Sequence, residues 1–240
     1  ADGFAIINAD QPWAADWRER AGEATVIDFG LQQPAAVTAS EVRAGGVDGM
    51  SFHLHTPVGD RAVRLALPGE HNVANALAAT AVGLACGLQL AEIGAGLESA
   101  RPVTGRLAAG RSPDGATVVD DCYNANPGSV RAAIDLLAAC DGRRTLILGA
   151  MRELGERSEA LHAEIGSHAA QAGIDGLWGV GPELAATVRS FGGKGRWFAD
   201  CEAAVAALPG QFGSDDTVLV KGSRGARMER VLQALLAGER

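Results

Sequence analysis

The stretch VVDDCYNANPGSV, residues 118–130, runs an apolar segment into two acids, two asparagines and an Asn-Pro step. Valines that stop at Asp120 and Asp121, with Pro127 opening a helical pattern and Asn126 just before it, read as strand, loop and capped helix. A helix start presents unpaired N–H groups and the positive end of the helix dipole. The cap accounts for Asn126 by itself. Asp121 at the strand end and Asn124 in the loop are then free to accept or donate hydrogen bonds to a ligand.

Outward from this unit the same alternation repeats. Apolar strands are expected at 116–121, 145–149, 176–181, 195–199 and 217–222, with helices at 127–140, 158–172, 182–190, 200–208 and 224–237. Continuous apolar strands between amphipathic helices imply an α/β fold with a Rossmann-like, doubly wound, mostly parallel sheet covered on both faces. Such sheets bind ligands at the carboxyl ends of their strands.

The first hundred residues have a different texture. FAIIN (4–8) and ATVIDF (24–29) are brief buried strands. SFHLHT alternates, with Phe52 and Leu54 on one face and His53 and His55 on the other. PVGD turns the chain, and RAVRLAL points Val63, Leu65 and Leu67 inward, giving an antiparallel hairpin within a mixed sheet. A helix over NVANALAATAVGLACG follows, with Asn72 or His71 as its cap, then a short one over 91–99. RPVTGR (101–106) reads as a hinge, so the expected domains are 1–104 and 105–240.

The net charge of −8 argues against a general nucleic-acid or membrane surface, although a local arginine cluster still suits an anionic ligand. No apolar run is long enough for a membrane helix, and no secretory leader opens the chain. Cys86, Cys122, Cys140 and Cys201 lack pair spacing and are expected to be reduced, mostly buried thiols. His53 and His55 have no suitably spaced third ligand, so no metal site is expected there. The chain opens at ADGFAIINAD without an initiator Met, as a piece of a longer protein would.

Three further motifs carry chemistry. In GEHNVANALAA (69–79), His71, Asn72 and Asn75 stand at a helix start, and the two amides share a face at i, i+3. They suit a purine edge, or equally a capped helix with one packed asparagine. In VLVKGSRGARME (218–229), Lys221 follows an apolar strand in a chain whose only other lysine is Lys194. Gly222 and Gly225 permit close backbone approach, Ser223 suits a cap, and Arg224 can grip a carboxylate or phosphate bidentately. In LGAMRELGERSEALHAEIG (148–166), Ser158 suits a cap, Glu153 and Glu156 are catalytic, orienting or simply solvated, and His162 is structural. Neither a Walker A pattern nor a dinucleotide G-x-G-x-x-G after a first strand is present.

Together these motifs resemble the Mur ligases. INAD (7–10) is similar to a strand and loop of the family's ATPase domain, and GEHNVANALAA to its central-domain signature. PVTGRL carries the family's arginine, Arg106, and DDCYNANPGSV, LGAMRELG and VLVKGSRGARME follow the carboxyl-terminal domain in order and spacing. Ala150 departs from the pattern, which has Asp there. The resemblance covers essentially the whole chain, yet the family's amino-terminal UDP-binding domain and P-loop have no counterpart. It therefore implies the later part of a central ATP-binding domain followed by a carboxyl-terminal domain.

The resemblance also implies the chemistry. ATP would drive amide synthesis: the terminal carboxylate of UDP-N-acetylmuramoyl-tripeptide takes the γ-phosphoryl group, and the amine of D-alanyl-D-alanine attacks the acyl phosphate. Asp121 would hold the ATP ribose with Asn124 and Asn126 nearby, and His71, Asn72 and Asn75 would line the adenine site. Arg106 would reach the γ-phosphate. Lys221, Ser223 and Arg224, with Asn124, would place the dipeptide, and Arg106 and Lys221 would be the catalytic cations. Mg²⁺ ligands and a phosphate-cradling lysine would lie upstream. Side chains of both halves would converge on one crevice, closed by motion at the hinge. A cytoplasmic monomer, inactive as this chain alone, is the expectation. A related ligase acting on another precursor or on folate polyglutamate, and a non-catalytic nucleotide-binding module, are the alternatives.

Overall fold

The computed structural model describes residues 3–237. The chain divides into two compact units, Ala1–Arg101 and Pro102–Arg240.

In the first unit, β1 (Phe4–Asn8) and β2 (Thr25–Phe29) pair in parallel, Ile6 opposite Ile27, with helix α1 (Ala14–Arg20) between them in sequence. Phe29 bridges in parallel to Val37, which leads into an antiparallel meander of β3 (Thr38–Ala44), β4 (Met50–Thr56) and β5 (Gly59–Leu65). Alternation does what it should: Phe52, Leu54, Val63 and Leu65 are buried, while His53 and His55 stack on the other face with centroids 5.4 Å apart. His55 also bonds Ser40 Oγ (2.7 Å) and Asp60 (3.1 Å), a polar network on the wet face. Helices α2 (Glu70–Ala85) and α3 (Leu90–Ser99) close the core through Val73, Leu77, Ala81, Ile93 and Leu97.

The expected cap of α2 is corrected. Its N-cap is Gly69, at φ 94°, a conformation that glycine tolerates, and His71 and Asn72 lie inside the first turn. Helix α1 and strand β3 were not expected from the sequence. The first is a single short, mostly exposed segment, and the second is broken by a register shift between Ser40 and Arg43 with Glu41 left-handed.

The second unit is a six-stranded sheet of order β10-β9-β8-β11-β7-β6. The elements are β6 (Ala108–Arg111), β7 (Thr117–Asp121), α4 (Pro127–Ala138), β8 (Arg143–Gly149), α5 (Ser158–Gln171), β9 (Gly176–Val180), α6 (Leu184–Phe191), β10 (Gly195–Phe198), α7 (Cys201–Ala206), β11 (Asp216–Lys221) and α8 (Glu229–Ala237). All neighbours are parallel except β6, a four-residue antiparallel edge strand that the sequence reading missed. Both faces are covered, as the unbroken apolar strands require. Val118, Ile147, Trp178, Val218 and Val220 pack with α7 and α8, while the alternate residues Val119, Leu146, Leu148, Leu177 and Leu219 are buried towards the face taken by α4 and α6.

The helix expected over 224–237 is also corrected. A 3₁₀ turn (Arg224–Ala226) ends at Arg227, which is left-handed at φ 53°, and α8 starts only at Glu229. The break lets Met228 drop into the core between Gly149 and Gly222. A Cβ on either glycine would lie within 2.6 Å of the methionine side chain. The bareness of Gly222 thus admits the protein's own Met228. Ser158 is the first residue of α5 rather than its cap, and His162 is buried, accepting from the Met151 N–H at Nε2 (3.1 Å) and bonding the Ser158 carbonyl through Nδ1 (2.8 Å). Cys122 and Cys201 are buried, but Cys86 is exposed, against expectation; all four cysteines are free.

Candidate functional site

The carboxyl ends of β7 and β11 lie side by side, with Lys221 in register with Asp121. Lys221 is 2% exposed, so its charge needs partners. Its ammonium donates to Asp121 Oδ2 at 2.5 Å and to the Asn124 carbonyl at 2.9 Å. Burial pushes the Asp121 carboxyl above its usual range; the Lys221 ammonium opposes that shift, and the neighbouring Asp120 charge reinforces it. Burial also raises the Cys122 thiol, whose Sγ donates to the Val220 carbonyl (3.4 Å), which makes it an inert core group.

The two acids bracket one turn. Asp120, buried, accepts the Gly105 N–H (2.7 Å) at one oxygen and the Cys122 N–H (3.1 Å) at the other. The Leu107 N–H also draws the Asp121 carboxyl down, as the smallest of these influences. Between Gly105 and Leu107 stands Arg106, exposed, its guanidinium 4.4 Å from the centre of the Tyr123 ring. The Tyr123 N–H donates to the Gly105 carbonyl (3.0 Å), so the turn and the β7 loop are laced together. Leu107 is left-handed at φ 57°, a strained conformation for a leucine that this lacing holds in place.

Asn126 caps α4 as the sequence implied, its Oδ1 accepting from the Ser129 N–H at 2.8 Å. Asn124 is exposed, with its Oδ1 on the Ala125 N–H (2.8 Å). Ser223 does not cap: its hydroxyl oxygen is buried with no hydrogen-bond partner, while its N–H donates to the Ala150 carbonyl (3.0 Å) and ties the end of β11 to the end of β8. Arg224 is exposed in the following turn, and so are Glu153 and Glu156 after β8. In the first unit, Asn72 Nδ2 donates to the Pro68 carbonyl (2.7 Å) and Asn75 Nδ2 to Asn72 Oδ1 (3.2 Å), so the i, i+3 amide pair forms; His71 is exposed beside it.

The second unit therefore brings Arg106, Asp121, Asn124, Lys221 and Ser223 to one sheet edge, and His71, Asn72 and Asn75 cluster separately on α2. Sequence reasoning gave no role to Asp120 or Tyr123. Tyr123 had one signal, being the chain's single tyrosine in an otherwise polar loop.

A doubly wound sheet whose β7 loop and β11 end gather charge in this way defines a class. Residues 1–83 match the Mur ligase middle domain and residues 105–224 the domain described as Mur ligase, glutamate ligase domain. The chain belongs to the Mur ligase family. Within it, the chain is similar to UDP-N-acetylmuramoyl-tripeptide--D-alanyl-D-alanine ligase of Escherichia coli, at 40% identity over 98% of this chain and 52% of the relative. Crystal structure I of MurF from Acinetobacter baumannii superposes with a TM-score of 0.89 at 33% identity, over 99% of this chain and 52% of that one. MurF ligase from Thermotoga maritima in complex with ADP gives 0.83 at 25% identity, over 98% and 53%. The chain spans about half the length of the relatives it matches.

Proposed function

We propose that this chain forms part of an ATP-dependent ligase that joins D-alanyl-D-alanine to UDP-N-acetylmuramoyl-tripeptide in peptidoglycan precursor synthesis. Residues 1–104 would be the later part of its central ATP-binding domain, and residues 105–240 its carboxyl-terminal domain. The observation that carries the reading is the chain-long 40% identity with the Escherichia coli ligase of that name. The site is suited to such chemistry, which crowds anionic oxygens and so needs cations fixed in advance.

In this reading Arg106, exposed on a turn pinned at Gly105, faces the γ-phosphate. Asp121 takes a ribose hydroxyl, Asn124 and Asn126 border it, and His71, Asn72 and Asn75 line the adenine. Lys221 is too deeply buried to travel. It holds Asp121 and the Asn124 loop in place while Ser223, whose buried hydroxyl has no partner among the described residues, and Arg224 receive the dipeptide. Among the described residues no group of three His, Cys, Asp or Glu is placed to hold a metal. Mg²⁺ would be held by residues elsewhere in the whole enzyme. The whole enzyme would be a cytoplasmic monomer; among the described residues no helix is long and apolar enough to cross a membrane.

The test is ADP release by the full-length enzyme containing this chain, with tripeptide precursor and either D-alanyl-D-alanine or single amino acids. Turnover with the dipeptide alone is expected, and none by the isolated 240-residue chain, which has no P-loop pattern. Turnover with a single amino acid instead of the dipeptide would overturn the substrate assignment.

A further inference from the structure

We propose that Tyr123 is a positioning residue that pre-orders the guanidinium of Arg106; the inference rests on the reading of Arg106 as a γ-phosphate ligand. The backbone around Arg106 is fixed three times over. Asp120 takes the N–H before it, the Val103 carbonyl takes the arginine's own N–H (2.9 Å), and the Gly105 carbonyl receives the Tyr123 N–H. None of these bonds restrains the arginine side chain, which lies exposed on a long flexible stem. An unrestrained arginine loses rotamer freedom when it grips an anion, and that loss weakens the grip.

Among the described residues, the Tyr123 ring is the group that holds it. The guanidinium carbon lies 4.4 Å from the ring centre, within cation–π range. The ring is 53% exposed, so it contributes little to the core. Its own backbone is pinned to the same turn, which keeps the ring beside the guanidinium. A planar delocalised cation stacked on a π face still has its N–H edge free for phosphate oxygens. The face of the ring does the positioning; the phenol hydroxyl has no part in it.

Steady-state kinetics of the full-length enzyme test this. Tyr123→Ala and Tyr123→Leu should each lower kcat/KM for ATP by about two- to five-fold, the worth of an exposed cation–π contact. Tyr123→Phe should match wild type. KM for the dipeptide should stay unchanged, which a general loosening of the fold would not allow. In an Arg106→Ala background, Tyr123→Ala should cause no further loss. Melting temperature is followed in parallel, and Tyr123→Leu keeps bulk at the position should Tyr123→Ala fold poorly. If Arg106→Ala is impaired but Tyr123→Ala and Tyr123→Leu equal wild type, or Tyr123→Phe fails to rescue, or the two losses add in full, the role of Tyr123 is refuted and the Arg106 reading survives. If Arg106→Ala itself is fully active, both fall.

Discussion

Lys221 offers the sharpest test of how the site is built. Its side chain is 3% exposed and that of Asp121 13%, so the two charges face each other largely out of water. Lys221→Met keeps the apolar stem and removes the ammonium. Asp121 then loses its counter-charge and the Asn124 carbonyl loses a donor. Removing one member of a buried pair typically costs about 3–5 kcal/mol. Protonation of the carboxyl softens that, so about 3 kcal/mol is expected, or roughly a 10 °C fall in the melting temperature of the second unit. Hydrogen exchange reads this locally: peptides from β7 and β11 should lose protection while α2 serves as an internal reference. The sign with pH follows from the raised carboxyl. Its contribution to stability is intact below the unfolded-state pKa of about 4 and is lost as pH rises through the higher folded-state value, so the variant's deficit should shrink on acidification towards about pH 4 and grow towards neutrality. Lys221→Met combined with Asp121→Asn removes both charges at nearly constant volume, and should recover most of the loss. A single variant that melts with wild type, or a double variant no better than the single, would refute the account of a coupled, desolvated pair.

In the first unit, Asp10 accepts the N–H groups of Leu31 (2.7 Å), Gln32 (3.0 Å) and Gln33 (2.8 Å). Partial burial alone would raise its carboxyl, but the three donors together hold it below the usual range, so its stabilisation is present above about pH 4 and lost as pH falls through its lowered folded-state value. Asp10→Asn should cost about 1–2 kcal/mol at neutral pH and converge with wild type in acid, read from thermal melts at both pH values. In α5, a Cβ on Gly166 would sit 2.1 Å from the Thr187 carbonyl of α6, so Gly166→Ala should destabilise by at least about 1–3 kcal/mol despite its better helix propensity. Gly96→Ala in α3, where nothing lies within 4 Å, should gain up to about 1 kcal/mol in the same denaturation assay.

How much was legible follows physical lines. The parallel strands of the second unit are buried on both faces and so announce themselves as unbroken apolar runs, and each was placed to within two residues. β6 and β3 lack that signature: the first is AAGR at an edge, and the second, TASEVRA, carries a bulge with Glu41 left-handed. Within the site, the cap at Asn126 is local chemistry and was readable, whereas Ser223 looked like a cap and is instead a buried hydroxyl with no partner. The Lys221–Asp121 pair spans one hundred residues of sequence and exists only because β11 inserts between β7 and β8. Sequence spacing cannot express a strand order. For the same reason Asp120 was given no role: its partner is the Gly105 N–H of a turn fifteen residues upstream.

The acids at the end of β7 thus divide their work by direction. Val220 is in register with Asp120 and Lys221 with Asp121, so the pleat sends one carboxylate to the face it shares with the Val118 and Val220 side chains and the other to the opposite face beside Lys221. Asp120 ends with both oxygens on backbone N–H groups and is structural. Asp121 receives the ammonium, one donor for a group with about four acceptor positions. The ion pair therefore does not compete with a ribose hydroxyl in the proposed complex. It sets the orientation of the carboxylate and leaves acceptor capacity over. Lys221 also holds the Asn124 carbonyl, next to Tyr123, whose N–H donates to the Gly105 carbonyl of the turn carrying Arg106, so a shift of Lys221 should disturb the proposed ribose and γ-phosphate contacts together. In the proposed ligase, which must exclude water while two substrates meet, that coupling would place the groups for the two ends of one nucleotide through a single internal cation.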